Sequence, residues 1–192
     1  MDRGRVEAFS DGVIAIIITI MVLELRPPHM ADLAELRSVL PAFLAYVLSF
    51  IYLGIYWSNH HHMLHVVNTV TGPILWANLH LLFWLSLIPF ATAWMGEHPL
   101  STAPVALYGA VLFLSAMAWS ILSSLLVRHE GPDSALAKAF GSDIKGKASL
   151  IAYALGIAAA FFLPLLSLAL YIAVATVWLV PDRRIERVLN IS

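Results

Sequence analysis

Apolar runs broken only by charge, proline and glycine dominate this chain, and their lengths leave few folds open. A bilayer core about 30 Å thick takes about 20 apolar residues per helical crossing. Four runs reach that length: roughly Val6 to Leu25, Val39 to Trp57 with an extension through the histidines, Pro73 to Trp94, and Val105 to Val127. A fifth, Ala148 to Val180, holds 33 residues. As one helix it would measure about 50 Å at 1.5 Å per residue, too long for one crossing. Pro164 lies at its centre, where a ring without an N–H breaks helical hydrogen bonding, so the run reads as a hairpin of two short spans. The expectation is an all-α membrane protein with six transmembrane helices, a single domain over residues 1–192.

Composition agrees. The chain is 60% hydrophobic and 12% charged, where a soluble domain carries about a quarter charged residues, so the solvent for most of its surface is the lipid bilayer. It has no cysteine, which excludes disulfides, thiolate metal sites and cysteine nucleophiles. No nucleic-acid partner and no cofactor are expected. The first run follows Arg3 and Arg5 as a signal peptide would, but no small-x-small cleavage site follows Leu23, and the segment reads as a retained helix.

Charge placement tests the span count. With six spans, Arg3, Arg5, Arg128, Lys138, Lys145, Lys147, Arg183, Arg184 and Arg187 fall on one face, and only Arg26 and Arg37 on the other. Lysine and arginine accumulate on the cytoplasmic side, so both termini are expected in the cytoplasm. Pro27-Pro28 followed by Asp32 and Glu35 suggests an outer turn capping the second helix, and residues 129–146 read as a linker with one short helical turn at Ala135 to Phe140.

The first span carries an acid, Asp11, into an apolar helix, and intramembrane acids call for a partner. Residues three or four apart share a helical face, which puts Arg5, Phe9, Gly12, Ile16, Thr19 and Leu23 in one stripe with Asp11 well around from it. In a symmetric assembly Ile16 and Leu23 would form apolar rings with Thr19 hydroxyls between them. From spacing alone, contact with lipid or neighbouring helices accounts for the same residues. The second span ends Trp57-Ser58-Asn59-His60-His61-His62-Met63-Leu64-His65. Ser10, Asp11, His60, His61 and Asn78 come to similar depth, so a hydrogen-bonded network among Ser10, Asp11, one of the two histidines and Asn78 is expected, with Arg5 as counter-charge. It holds the first helix in place or adds a proton-sensitive element, and the structural role is favoured. A metal site on His61, His62 and His65 would need further ligands that do not recur elsewhere. Pro89 should kink the third span, with Thr92 and Trp94 at the outer interface.

Together, Arg5-x-x-x-Phe9-Ser10-Asp11-Gly12-Val13-x-Ala15-Ile16-x-x-Thr19-x-x-x-Leu23-Glu24-Leu25, then Tyr56-Trp57-x-x-His60-His61, then Asn78 and Pro89-Phe90-x-Thr92-Ala93-Trp94, resemble the transmembrane protein 175 potassium-channel family. The resemblance implies the prokaryotic single-repeat form: a homotetrameric, leak-type potassium channel in the inner membrane, not an enzyme, with the first helix of each subunit lining a central pore. It puts the isoleucine constriction on Ile16, the pore threonine on Thr19, the next apolar pore position on Leu23, and permeant potassium near Ile16 and Thr19. It also puts Ser10 and Asp11 in a network that positions the pore helix. Two other readings compete: a proton-conducting or proton-coupled transporter using Asp11 and the histidines, and a membrane enzyme binding metal at the histidine cluster.

Overall fold

The computed structural model describes residues 2–28, 36–141 and 143–179, and every regular element among them is a helix. These are α1 (Arg3–Leu23), α2 (Leu36–His65), α3 (Gly72–Ser86), α4 (Ile88–Glu97), α5 (Thr102–Glu130), α6 (Ala135–Phe140), α7 (Ile144–Ala160) and α8 (Pro164–Leu179). Asp32, Glu35, Arg183, Arg184 and Arg187, with the turn and the charges assigned to them, lie outside the described residues.

Helix boundaries follow local chemistry. The Asp2 carboxylate accepts the Gly4 N–H at 3.1 Å and starts α1. Pro73 sits in the first turn of α3, where its missing N–H leaves no bond unmade. The third run breaks at Leu87, two residues before Pro89, which enters the first turn of α4. The expected kink is therefore a change of helix. Gly131, at φ 93°, closes α5 in a conformation that a side chain would oppose. The fifth run folds as α7 and α8 joined by Phe161, Phe162 and Leu163, all exposed; Pro164 begins α8 and so stands just past the turn. The hairpin helices have 17 and 16 residues, about 25 Å each at 1.5 Å per residue. Among the described residues, four segments are long and apolar enough to cross a membrane: α1, α2, α3 with α4, and α5.

The protein is an integral membrane protein built around α5, which packs on α3, α4, α7 and α8. Its centre is polar at the tips and aromatic in bulk. Tyr52 donates to the Tyr171 carbonyl at 2.6 Å, and Ser49 bridges Thr92 at 2.7 Å and Tyr108 at 2.9 Å. Thr92, read beside Trp94 as a residue of the outer interface, is buried within this core. Gly109 of α5 and Gly156 of α7 leave the space that the Tyr171 ring fills; a Cβ at either would overlap it. Against this core, α1 lies at the margin, touching α2, α3 and α4 on one side only.

Candidate functional site: the first helix and its polar anchor

One face of α1 is packed. Val6, Ser10, Ile14, Ile17 and Met21, spaced at four, four, three and four residues, are buried. The opposite face is uncovered: Phe9 is 52% exposed, Ile16 57% and Leu23 77%, and Arg5, Gly12 and Thr19 are exposed with them. The stripe read from helical spacing is therefore a face that the described residues leave uncovered. The apolar surface continues past the helix edge into a groove where Ile16 and Ile20 oppose Pro89 and Phe90. Thr19 donates its hydroxyl hydrogen back to the helix, with the Ala15 and Ile16 carbonyls each at 3.0 Å. A hydroxyl has two lone pairs, so with its hydrogen committed to the backbone the Thr19 oxygen offers acceptor capacity outward.

The packed face is fixed by a buried relay from three helices. Ser10 donates to the Val6 carbonyl at 2.8 Å and accepts from Asn78 Nδ2 at 2.9 Å; Asn78 Oδ1 stands 2.7 Å from His60 Nε2. The donors and acceptors fix one another. Because the Ser10 hydrogen points to Val6, Asn78 must present its NH2 to Ser10 and its oxygen to His60, so Nε2 carries the imidazole hydrogen. Ser10, His60 and Asn78 are all buried, and the bare His60 Nδ1 has no hydrogen-bond partner.

Asp11 and His61 belong to a second, shallower group. Asp11 Oδ1 accepts from Trp57 Nε1 at 3.0 Å, and His61 Nδ1 lies 3.0 Å from the Glu7 carboxylate, off hydrogen-bond alignment. The expected single network is thus two, because Ser10 and Asp11 are adjacent and so point about 100° apart on a helix. Arg5 is exposed and joins neither group. The basic residue that ties α1 down is Arg3, whose guanidinium donates to the carbonyls of His65 at 2.6 Å and Val67 at 3.1 Å. The histidines part in the same way: His60 faces inward, His61 turns to Glu7, and His62 lies 2.6 Å from the Ser58 carbonyl. Glu7 escaped the sequence reading and Trp57 entered it only as a motif residue without a partner, although each stands four residues from a residue it had chosen, Asp11 and His61, and so on the same face.

Residues 5–89, from α1 into the first turn of α4, match the family described as endosomal/lysosomal potassium channel TMEM175. A potassium channel of Chryseobacterium sp. (strain P1-3) is 55% identical over 190 residues, 99% of each chain. A potassium channel of Streptomyces collinus (strain DSM 40733 / Tue 365) is 36% identical over 129 residues, 63% of each chain. The crystal structure of a lysosomal potassium-selective channel TMEM175 homolog from Chamaesiphon minutus matches with a TM-score of 0.82 at 27% identity, over 94% of this chain and 97% of that one.

Proposed function

The chain belongs to the TMEM175 family, and from that membership together with the uncovered face of α1 we propose that it is a potassium channel whose pore is lined by the first helix of four identical subunits. The observation that carries the reading is the division of α1 into a packed and a bare face, the bare one holding Ile16, Thr19 and Leu23. An apolar helix face within a membrane is met by lipid or by protein. Four copies turned inward make rings of Ile16 and Leu23 that close the path by excluding water, and a ring of four Thr19 oxygens that replaces part of an ion's hydration.

In this reading the six apolar helical segments, with α3 and α4 counted as one, cross the membrane and both termini face the cytoplasm. Arg3, Arg5 and Arg128 then lie on the cytoplasmic side, with Arg26 and Arg37 outside. The Ser10–Asn78–His60 relay holds the packed side of each pore helix, and Trp57 on Asp11 steadies its cytoplasmic half. Potassium is the permeant species.

The test is a planar-bilayer recording of purified protein under a potassium-to-sodium gradient, wild type against Ile16→Asn. A reversal potential near the potassium equilibrium, with conductance raised by the polar side chain, is the expected result. Selective current that Ile16→Asn and Leu23→Asn both leave unchanged would place the pore elsewhere.

A further inference from the structure

Between the cytoplasm-proximal halves of α1 and α2, Glu7, Asp11 and His61 bring one donor atom each to within 4.8 Å of one another. We infer that this trio is a binding site for a divalent transition-metal ion such as Zn2+, which would bridge α1 to α2 on the side away from the bare stripe.

Three observations carry the assignment. The donor set comes from two helices and converges: Glu7 and Asp11 are four apart on one face of α1, and His61 meets them from α2. One imidazole nitrogen with two carboxylates suits a borderline first-row ion better than Ca2+ or Mg2+, which favour all-oxygen shells. Ligand atoms held about 2.0–2.2 Å from a tetrahedral ion stand roughly 3.3–3.6 Å apart. The Glu7 to His61 distance of 3.0 Å is close to that, and the Asp11 donor lies within 4.8 Å of both.

Charge is the second observation. Two carboxylates one turn apart repel, and among the described residues the only ion pair either one makes is that of Glu7 with His61. The Glu7 side chain is only 17% exposed. A divalent cation would neutralise both acids, which no arginine or lysine among the described residues pairs with. The third is orientation. His61 Nδ1 is shut off from solvent and makes no hydrogen bond while it points at Glu7, and Trp57 Nε1 holds one oxygen of Asp11 at 3.0 Å. Ligands fixed by an outer hydrogen bond in this way are a usual feature of metal sites. The site differs from a pairing of His61 with His62 or His65, since His62 turns to the Ser58 carbonyl.

The inference stands apart from ion conduction and is tested by binding alone. Zn2+ is titrated into the purified full-length protein in detergent by calorimetry, with wild type, Glu7→Gln, His61→Ala and His65→Ala compared, and the melting temperature of each followed without and with Zn2+. One ion per chain is expected, with affinity at least tenfold weaker in Glu7→Gln and in His61→Ala and unchanged in His65→Ala. The thermal shift that Zn2+ produces should vanish in the same two variants. Trp57→Phe, which removes only the hydrogen bond that orients Asp11, should weaken binding less than either. No saturable binding by wild type, equal binding by wild type and both ligand variants, or loss only in His65→Ala would each overturn the assignment.

Discussion

Helices α1 and α5 are both apolar enough to cross a membrane, yet 50% of the best apolar window of α5 is buried inside the protein and only 28% of that of α1. The difference lies in what sits between the large residues. Helix α5 carries Gly109, which leaves room for the Tyr171 ring and Ile157 of α7, and it buries Ser115 and Ser123. Helix α1 has small or hydroxylated positions too, but apart from Ser10 those in its middle, Gly12, Ala15 and Thr19, fall on its exposed side. Hydropathy alone does not separate a helix packed on several sides from one packed on a single side. The polar residues and the shape of each face do.

If that contrast is right, the largest effect comes from filling the α5 side. Gly109→Leu places a branched side chain where the Tyr171 hydroxyl now lies. Overpacking a tight core costs typically about 1–3 kcal/mol, and the obstacle here is a whole ring, so the upper end is expected. A melting temperature well below that of wild type in detergent, with loss of monodisperse protein, is the measurement. Unchanged stability would mean that the α5–α7–α8 core is looser than its packing indicates.

Next in size is the anchor that joins the two kinds of face. Asn78→Leu removes both bonds of the relay and leaves the Ser10 oxygen without its donor and the His60 N–H without its acceptor. Inside a membrane such bonds are worth about 0.6 kcal/mol on average and up to about 1.7, so a loss of about 1–2 kcal/mol is expected. A double-mutant cycle of Ser10→Ala with Asn78→Ala should give a coupling energy within that range. Coupling near zero would reduce the relay to an accidental contact.

Much of the architecture was legible in the sequence because apolar length and proline act locally. The helix starts at Pro73 and Pro164, the turn in the fifth run and the linker helix all follow from residues within one turn of the event. The stripe on α1 was legible because helical periodicity is geometric. The partners of that helix were harder to read. Ser10 and Asp11 are neighbours in sequence and were joined in one network, but the 100° step between them sends one to Asn78 and the other to Trp57. No periodicity within α1 says which of two adjacent polar residues meets which helix. The hydrogen bond of Thr92 was hidden for a similar reason: its partner Ser49 is 43 residues away, and the distance between them is a property of how α2 and α4 pack.

The smallest effect on stability, and the sharpest test of the bare face, is Thr19→Val. The two side chains are nearly the same shape. The only bonds the substitution removes are those from the hydroxyl to the Ala15 and Ile16 carbonyls, which already belong to the helix ladder. Because Thr19 is exposed in the single chain, the melting temperature should move by less than the equivalent of about 0.5 kcal/mol, the ordinary range for surface positions. The hydroxyl oxygen, however, is the one polar atom on the stripe between Ile16 and Leu23. In a tetramer its loss strips four oxygens from the path while leaving the bore unchanged. The potassium-to-sodium permeability ratio, read from the shift of reversal potential, should fall several-fold at equal stability. A stability loss comparable to that of Asn78→Leu would instead mean that Thr19 packs against protein in the assembled state, and the stripe would then be a subunit contact with its pore-facing side elsewhere on the helix.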